Sequence, residues 1–420
     1  MKIALIGNTC NNNFSLMRYF RDLGHDAHLF LYSNEGFTNE NPIHNPEWDT
    51  WEILKWEKYI HRLHVPNGIE TIIGRPDKFK LPPSLDALKK SLYSFEYIIG
   101  SGITPSLMWR INIKLDIFYP YSTGIEWVGE LENNLKLKKY NFEWPFRKFI
   151  YNTQIKGIKS AKIVNIYCGG YTEEVLKNNN INYVHMHIPQ YYNLDELPLL
   201  PPNKHMNNIL SKIENAEFSI FSFMRHLWIF NNKIYSKDNW DSLNKNNDWL
   251  IKGFRQFLDE SKANAILFLS SWGPDVFETK KLVERLQLHD FVVWLPLLPR
   301  REIGFLLNRA ADLGVGEFVC SKGEMWGSTG WENLAAGVPF LQSINYTNSK
   351  FLREFGYELP PFTLNVKSAE DVAKHMLACY NNKDKIKKQA QENIRWYNEN
   401  NGISLAKKWI YQLNSIKKLD

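Results

Sequence analysis

The chain has 420 residues, 44% hydrophobic and 23% charged, which is the composition of a globular protein and excludes a disordered tail protein, a collagen-like chain and a long coiled coil. A formal net charge of +6 is mild for this length and does not indicate nucleic acid binding. No run approaches the ~18 consecutive apolar residues of a membrane-spanning helix, and the N-terminus has no signal-peptide pattern, so we expect a cytoplasmic protein. The four cysteines are far apart and predict neither disulfides nor a zinc site.

The first half of the chain alternates strand and helix patterns. Residues 2–7 form a short apolar run that ends in glycine, and the next apolar residues recur at helical spacing, Leu16, Tyr19, Phe20 and Leu23. Further strand-like runs follow at 25–32, 95–100, 115–121, 161–167 and 181–188. This alternation predicts βαβ units and a mostly parallel sheet.

A stretch with four prolines and no periodicity, residues 189–214, separates the two halves. A second series of strand patterns follows at 218–223, 265–269, 291–295, 311–315 and 338–341, and helical patterns close the chain at 368–381, 383–398 and 403–414. We therefore expect an α/β protein with an N-terminal domain over 1–190, a linker over 191–216, a C-terminal domain over 217–398, and a final helical segment, 399–420, that packs back toward the N-terminal domain. Ligands of open parallel sheets bind beyond the carboxyl ends of the strands, so this architecture predicts a bilobal site.

The most informative stretch is GEMWGSTGWENLAAGVPF at 323–340. Glu324 and Glu332 are separated by seven residues, which include a turn of small residues, Gly327-Ser328-Thr329-Gly330. This turn predicts a helix that starts near Gly330, and the free N–H groups of a helix start suit a diphosphate. A carboxylate on each side can accept hydrogen bonds from hydroxyls, which fits a nucleotide sugar.

Together with the glycines and the AxGVP sequence after Glu332, this segment resembles the E-x7-E signature of retaining GT-B glycosyltransferases, in particular glycosyltransferase family 4. The order of the segments at 268–276 and 291–315 is similar to that of the family's nucleotide-binding domain. Upstream, FSFMRHLW at 221–228 and KNND at 245–248 resemble the arginine and lysine segments that clamp the donor diphosphate. The resemblance implies the GT-B fold, in which two Rossmann-like domains have parallel sheets facing an interdomain cleft.

The resemblance also implies roles for single residues around the donor. Glu332 would bind the ribose hydroxyls, and Glu324 would bind a hydroxyl of the donor sugar. Arg225 and Lys245 would neutralise the diphosphate leaving group, so we expect neither a metal nor a cofactor. Lys233 and Lys237 compete with Lys245 for this role, and Arg225 and Glu332 could instead be an interdomain ion-pair residue and a solvent-facing helix residue.

The remaining donor contacts are expected from the turn and from a strand end. The backbone at Ser328 and Thr329 would meet the phosphates, flanked by Gly327 and Gly330. Leu297 belongs to the stretch whose backbone groups would read the base.

The N-terminal half departs from the family pattern. Many relatives have a histidine at the strand end near the reaction centre, whereas the stretch at 119–127, YPYSTGIEW, has none. Glu126 is a candidate base for the acceptor hydroxyl or, alternatively, a helix cap. The candidate acceptor-side residues after the strands, which plain turn chemistry would explain equally well, are Asn8, Thr9, Ser101, Gly102, Ser122 and Thr123.

Residues 136–162 hold eight lysines and arginines against the single acid Glu143, interleaved with aromatic residues. This pattern is typical of a segment that lies on an anionic membrane, and equally of a solvated basic helix face. Such a segment would place the protein at the inner face of the cell membrane.

The leading hypothesis is a retaining, metal-independent glycosyltransferase of the hexosyltransferase type. It would use a UDP-sugar, with a GDP-sugar as the alternative, and a glycan or lipid-linked acceptor in polysaccharide or glycolipid synthesis. Two alternatives are a non-catalytic nucleotide-sugar or glycan binder and a sugar-nucleotide epimerase of the same fold. A dehydrogenase is rejected because GNTCNN after the first strand is not GxGxxG and no acidic residue ends the second strand.

Overall fold

Each half of the chain forms one parallel β-sheet. The structure, a computed structural model, describes residues 1–32, 44–63, 83–120, 125, 144–166, 171–199, 204–231, 240–241, 243–319 and 326–416. The chain divides into two compact units, which we call the N-terminal unit (Met1–Tyr191 with Asn401–Asp420) and the C-terminal unit (Tyr192–Asn400). None of the described helices is long and apolar enough to cross a membrane.

The N-terminal unit is built on seven strands. They are β1 (Lys2–Ile6), β2 (Asp26–Tyr32), β3 (Ile60–Leu63), β4 (Tyr97–Ser101), β5 (Ile117–Tyr119), β6 (Ile163–Ile166) and β7 (Val184–His185). Their order is β3-β2-β1-β4-β5-β6-β7, and every neighbouring pair is parallel. The central strand β1, with sequence KIALI, is apolar on both faces because helices cover both sides of the sheet.

Within the described ranges, six helices of the N-terminal unit precede the C-terminal unit in the chain. They are α1 (Asn12–Asp22), α2 (Ile53–Trp56), α3 (Pro83–Leu92), α4 (Thr104–Arg110), α5 (Trp144–Ser160) and α6 (Tyr171–Asn178). The described 3-10 helices of the chain are Thr9–Asn11, Pro46–Trp48, Glu57–Tyr59 and Leu194–Glu196.

The C-terminal unit is built on six strands, β8 (Phe218–Ser222), β9 (Ala265–Ser270), β10 (Val292–Leu295), β11 (Leu313–Val315), β12 (Phe340–Gln342) and β13 (Leu364–Asn365). Their order is β10-β9-β8-β11-β12-β13, again with parallel neighbours. The strand order changes direction between β8 and β11: the strands that follow β8 in sequence lie on one side of it, and β11 and its successors lie on the other. The same change occurs between β1 and β4 in the first sheet. Loops diverge at such switch points and leave a crevice at the carboxyl ends of the strands.

The described helices of the C-terminal unit are α7 (Lys204–Ile213), α8 (Asn247–Ser261), α9 (Val276–Arg285), α10 (Arg300–Arg309), α11 (Gly327–Ala336), α12 (Asn348–Phe355), α13 (Ala369–Asn381), α14 (Lys383–Ala390) and α15 (Glu392–Asn400). Besides its sheet core, this unit has a cluster of buried rings that includes Trp326, Trp331 and Trp396. Trp331 and Trp396 stack with centroids 5.9 Å apart. This cluster fixes α11 against α15.

The last described helix, α16 (Gly402–Ile416), returns to the N-terminal unit. Its apolar stripe of Leu405, Trp409 and Leu413 is buried in one cluster with residues of β1 and α1. Trp409 Nε1 donates a hydrogen bond to the carbonyl O of His187 at 2.8 Å. A polar group inside this core is thereby satisfied while the large ring stays buried.

The structure differs from the sequence-based expectations in several elements. Strands β3 and β13 were not predicted, because each is a short edge strand without an alternating pattern. Residues 204–213, inside the expected linker, form α7, whose Met206 and Ile209 are buried. The expected helix over 383–398 is two helices that meet at Gln391.

Candidate functional site

The loop after β1 is folded by asparagine side chains. Asn8 Nδ2 donates a hydrogen bond to Asn11 Oδ1 at 2.7 Å. Asn13 Nδ2 donates to the carbonyl O of Gly7 at 2.7 Å and to Ser101 Oγ at 3.3 Å, which joins this loop to the end of β4. Asn8 and Ser101 therefore both lie at the switch point of the N-terminal sheet, with side chains engaged in the turn.

The other two described acceptor-side candidates lie at the same edge. Thr9 begins a 3-10 helix and is 7% exposed, and the carbonyl O of Gly102 accepts a hydrogen bond from Gln154 Nε2 at 2.9 Å. Cys10 and Asn11 have φ angles of 52° and 58°, in the left-handed region that costs roughly 1–2 kcal/mol for a residue with a side chain. The hydrogen bonds of this loop hold it in that strained conformation.

In the C-terminal unit, the residues that follow β8 are clamped by the segment that begins α8. Asn247 Nδ2 donates to the carbonyl O of Arg225 at 3.3 Å, and Asn247 Oδ1 accepts from the N–H of Leu227 at 3.0 Å. The N–H of Lys245 donates to the carbonyl O of Leu227 at 2.8 Å. Three hydrogen bonds thus join the segments of Arg225 and Lys245, the two cations that the sequence analysis singled out.

The two cations differ in their partners. The guanidinium of Arg225 lies 5.9 Å from the ring centroid of Trp272, and no carboxylate among the described residues pairs with it. Lys245 Nζ donates to Glu317 Oε2 at 2.6 Å, with side chains that are 11% and 17% exposed. Glu317 follows β11 and Arg225 follows β8, so these side chains lie at the carboxyl ends of two neighbouring strands, at the switch point.

The start of α11 lies against the same carboxylate. Gly327, the first residue of the helix, has a φ of +58°, and a Cβ built there would lie 2.6 Å from Glu317 Cδ. Only glycine lets the carboxylate approach so closely. Ser328 and Thr329 lie in the first turn of the helix, whose leading N–H groups have no partner within the helix.

The predicted start of this helix near Gly330 was wrong by one turn. The N–H of Gly330 already donates to the carbonyl O of Trp326 at 3.1 Å. A Cβ at Gly330 would lie 2.2 Å from Trp326 Cβ, so this glycine is needed for close packing within the first turn.

Glu332 projects from α11 into a buried ion pair. Its Oε1 accepts a hydrogen bond from Arg300 Nε at 3.0 Å, and its side chain is 8% exposed. Burial, followed by the nearby Glu332 carboxylate, raises the pKa of the Tyr192 phenol. Leu297 lies half-buried in the loop between β10 and α10, the helix that Arg300 begins.

A neutral histidine fixes the backbone beside Arg225. His226 is 2% exposed, its Nε2–H donates to the carbonyl O of Ser270 at 2.9 Å, and its Nδ1 lies 3.0 Å from Thr279 Oγ1. Burial lowers the pKa of His226 to about 4. A Cβ at Gly273 would lie 2.4 Å from the carbonyl O of His226, so the backbone of His226 packs at a distance from residue 273 that only glycine allows.

Several predicted site residues lie outside the described residues, namely Glu324, Glu126, Ser122, Thr123, Lys233 and Lys237. Of the basic segment 136–162, the structure describes residues 144–162, which form α5 and the two residues after it. Within the described ranges, no three His, Cys, Asp or Glu side chains gather as metal ligands.

Sequence reasoning missed Glu317, Arg300 and His226. Glu317 stands at a strand end after a glycine, Arg300 begins a helix after a proline, and His226 adjoins Arg225. Each of the three is a polar residue at a point where the chain leaves a buried strand or enters a helix. This position is the sequence pattern that could have identified them as candidates. Their partners are remote in sequence, so pattern alone does not identify the pairs.

The whole chain has counterparts among solved structures. It aligns with Alr3699/HepE from Anabaena in complex with UDP-glucose at 12% identity and a TM-score of 0.61, covering 99% of this chain and 100% of that one. Sucrose-phosphate synthase (tll1590) from Thermosynechococcus elongatus aligns at 14% identity and a TM-score of 0.56, with 100% of both chains covered. Trehalose 6-phosphate synthase from Burkholderia multivorans aligns at 9% identity and a TM-score of 0.57, covering 100% of this chain and 99% of that one.

Sequence comparisons add no relative, because no protein-family model matches the chain and no curated protein matches it. The likeness in structure is therefore a likeness of fold. Two sheets of parallel strands with flanking helices match these glycosyltransferase structures over their full length. The chain has the GT-B fold.

Proposed function

We propose that the protein is a retaining glycosyltransferase that moves a sugar from a nucleoside diphosphate sugar to a hydroxyl of a glycan or lipid-linked acceptor. The observation that carries this proposal is that hydrogen bonds join the segments of Arg225 and Lys245 at the switch point of the C-terminal sheet, where Lys245 contacts Glu317 beside the start of α11. Two cations and a helix start together suit one diphosphate.

The chemistry of these groups fits donor cleavage. Negative charge grows on the diphosphate as the bond to the sugar breaks, and fixed cations that face this charge lower the barrier. The side chains of Arg225 and Lys245 supply the positive charge that opposes it, so the transfer needs no metal. Glu332 then binds the ribose hydroxyls, and Leu297 lies on the side of the base.

A UDP-sugar is the donor we favour. HepE was crystallised with UDP-glucose, which supports this choice, and a GDP-sugar is the alternative. The resemblance of 323–340 to the family 4 signature supports retention of the anomeric configuration, with Glu324 at the donor sugar and Glu126 as the candidate base.

The acceptor is proposed to be presented at a membrane. The exposed face of α5 carries Lys148, Lys156 and Lys159 over a buried face that includes Ile155 and Ile158. A one-sided basic face of this kind suits peripheral contact with anionic lipid, as in polysaccharide or glycolipid synthesis.

Thermal shift measurements with UDP, GDP, ADP and CMP test the donor site. A ligand at ~100 times its dissociation constant adds about 2.7 kcal/mol, which should raise the melting temperature of a unit of this size by several degrees. No shift with any of these nucleotides would contradict the proposal.

The alternatives separate in product analysis with the UDP-sugar that binds. A transferase releases UDP faster when an acceptor is added, and its product keeps the anomeric configuration. A protein that binds the donor but releases no UDP is a binder, and one that converts the sugar without an acceptor is an epimerase.

A further inference from the structure

Glu317 is a carboxylate placed where an anionic ligand would be expected. It contacts Lys245 Nζ at 2.6 Å and lies against Gly327, the first residue of α11. Both Lys245 and the leading N–H groups of a helix favour negative charge. The negative charge beside Lys245 and the start of α11 is therefore supplied by the protein's own Glu317 carboxylate.

The backbone of Glu317 is held in this position by dedicated contacts. Gln342, which is 2% exposed, donates from Nε2 to the carbonyl O of Glu317 at 2.8 Å and accepts at Oε1 from its N–H at 2.9 Å. A Cβ at Gly316 would lie 1.9 Å from Gln342 Oε1, so a glycine is needed beside this clamp. The clamp holds only the backbone of Glu317, and its side chain, which is 17% exposed, contacts Lys245.

We propose that the Glu317 carboxylate competes with the diphosphate of the nucleotide for Lys245. This inference rests on the proposed function, in which Lys245 binds the donor diphosphate. A ligand with a diphosphate displaces the Glu317 carboxylate from Lys245, whereas a nucleoside without phosphate leaves the pair intact. When the nucleoside diphosphate leaves after transfer, the carboxylate returns to Lys245 and opposes rebinding.

The test compares the wild-type protein with Glu317→Gln, which keeps the size of the side chain and removes its charge. Calorimetry should show that UDP binds Glu317→Gln roughly tenfold more tightly, while uridine binds both proteins equally. The matched control is Glu278→Gln, which removes the carboxylate of the exposed Glu278–Lys281 pair on α9 and should change neither affinity.

A second background tests the shared partner. In a Lys245→Met protein, Glu317→Gln should lose most of its effect on UDP affinity, because the two changes act on one contact. An equal gain in that background would show that Lys245 is not the group for which they compete, and would overturn the inference.

Other outcomes are equally decisive. UDP affinity that is unchanged or weaker in Glu317→Gln contradicts the competition, as does an equal change for UDP and uridine. Inorganic pyrophosphate, which lacks the nucleoside, should show the same gain in Glu317→Gln. If Glu317→Gln binds pyrophosphate more tightly but neither protein binds UDP, the proposed function is overturned and the competition for Lys245 is supported. If both proteins bind UDP with equal affinity, the proposed function is supported and the inference is overturned.

Discussion

Glu332 Oε1 accepts a hydrogen bond from Arg300 Nε at 3.0 Å, which joins the sixth residue of α11 to the first residue of α10. Arg300 also ends the loop that contains Leu297. The carboxylate proposed to bind the ribose is thus oriented by the segment proposed to meet the base. A shift of this loop would move both contacts together.

Glu332→Ala should weaken the binding of UDP and of uridine alike, because the ribose contact is common to both. A hydrogen bond to a charged group contributes ~1.5–3 kcal/mol, so calorimetry should show a loss of at least about tenfold. Glu284→Ala, an exposed position on α9, serves as the control. Unchanged affinities in a folded Glu332→Ala protein would remove Glu332 from the site.

Arg225→Ala should reduce kcat more than it raises KM for the donor, because the diphosphate gains charge during bond cleavage. The loss of one electrostatic contact of this kind reduces kcat by about 100-fold or more. Steady-state kinetics of donor consumption measures the split, with Lys252→Ala on the exposed face of α8 as the control. A raised KM with an intact kcat would make Arg225 a docking residue only.

Stability should fall as the pH drops from about 6.5 toward 4, because of His226. Its folded pKa of about 4 lies below the usual 6.5, so the unfolded chain binds the proton first and protonation favours unfolding. The full shift corresponds to about 3 kcal/mol. Urea unfolding across this range should give a shallower pH dependence for His226→Gln than for wild type.

The exposed His289 provides the control for this measurement. His289→Gln should keep the slope of the wild-type protein. His187, whose pKa burial lowers to about 3, should leave part of the slope in both variants. Identical slopes for wild type and His226→Gln would show that His226 is not held neutral.

The basic face of α5 predicts reversible binding to vesicles that contain anionic lipid. Each lysine near such a surface contributes ~1 kcal/mol, and the attraction decays within about 8 Å at physiological salt. Replacing Lys148, Lys156 and Lys159 together by glutamate should abolish flotation with anionic vesicles and leave donor hydrolysis unchanged.

The matched control replaces three exposed lysines of the C-terminal unit by glutamate, Lys212, Lys374 and Lys388. It changes the net charge equally, so a loss of flotation there as well would indicate a nonspecific charge effect. Equal binding of wild type to neutral and anionic vesicles would leave α5 as a solvated helix face.

Trp409→Ala should destabilise the N-terminal unit by about 3–5 kcal/mol, the usual cost of removing a buried aromatic ring. Trp409 is fully buried, lies 5.8 Å from Tyr119 between ring centroids, and bonds to His187. Urea unfolding measures the loss. Tyr411→Ala, on the exposed side of the same helix, should change the stability by less than about 0.5 kcal/mol.

Much of the fold was predictable from the sequence. The central strands β1 (KIALI) and β8 (FSIFS) are almost fully buried and mostly apolar, and such short apolar runs are a strong local signal. The parallel α/β architecture followed from the alternation of such runs with helical patterns. Strands β3 and β13 lie at sheet edges, where short segments are defined by their neighbours and carry no periodicity of their own.

The candidate site was predictable only in part. Arg225, Lys245 and Glu332 were identified by family resemblance, supported by the position of Arg225 after a strand and of Glu332 near a helix start, and their roles stay predictions. The pairs Lys245–Glu317 and Arg300–Glu332 join residues 72 and 32 positions apart, so they depend on which strands become neighbours. The start of α11 at Gly327 depends likewise on how closely the glycines allow Glu317 and Trp326 to approach.

The helix α16 has a consequence for how the chain is made on the ribosome. Its residues cover α1 and β1, yet they are synthesised only after the whole of Tyr192–Asn400. While the C-terminal unit is being translated, the N-terminal sheet has no α16 against its apolar face. The nascent chain therefore exposes that face throughout this period, and the first unit to emerge is the last to be completed.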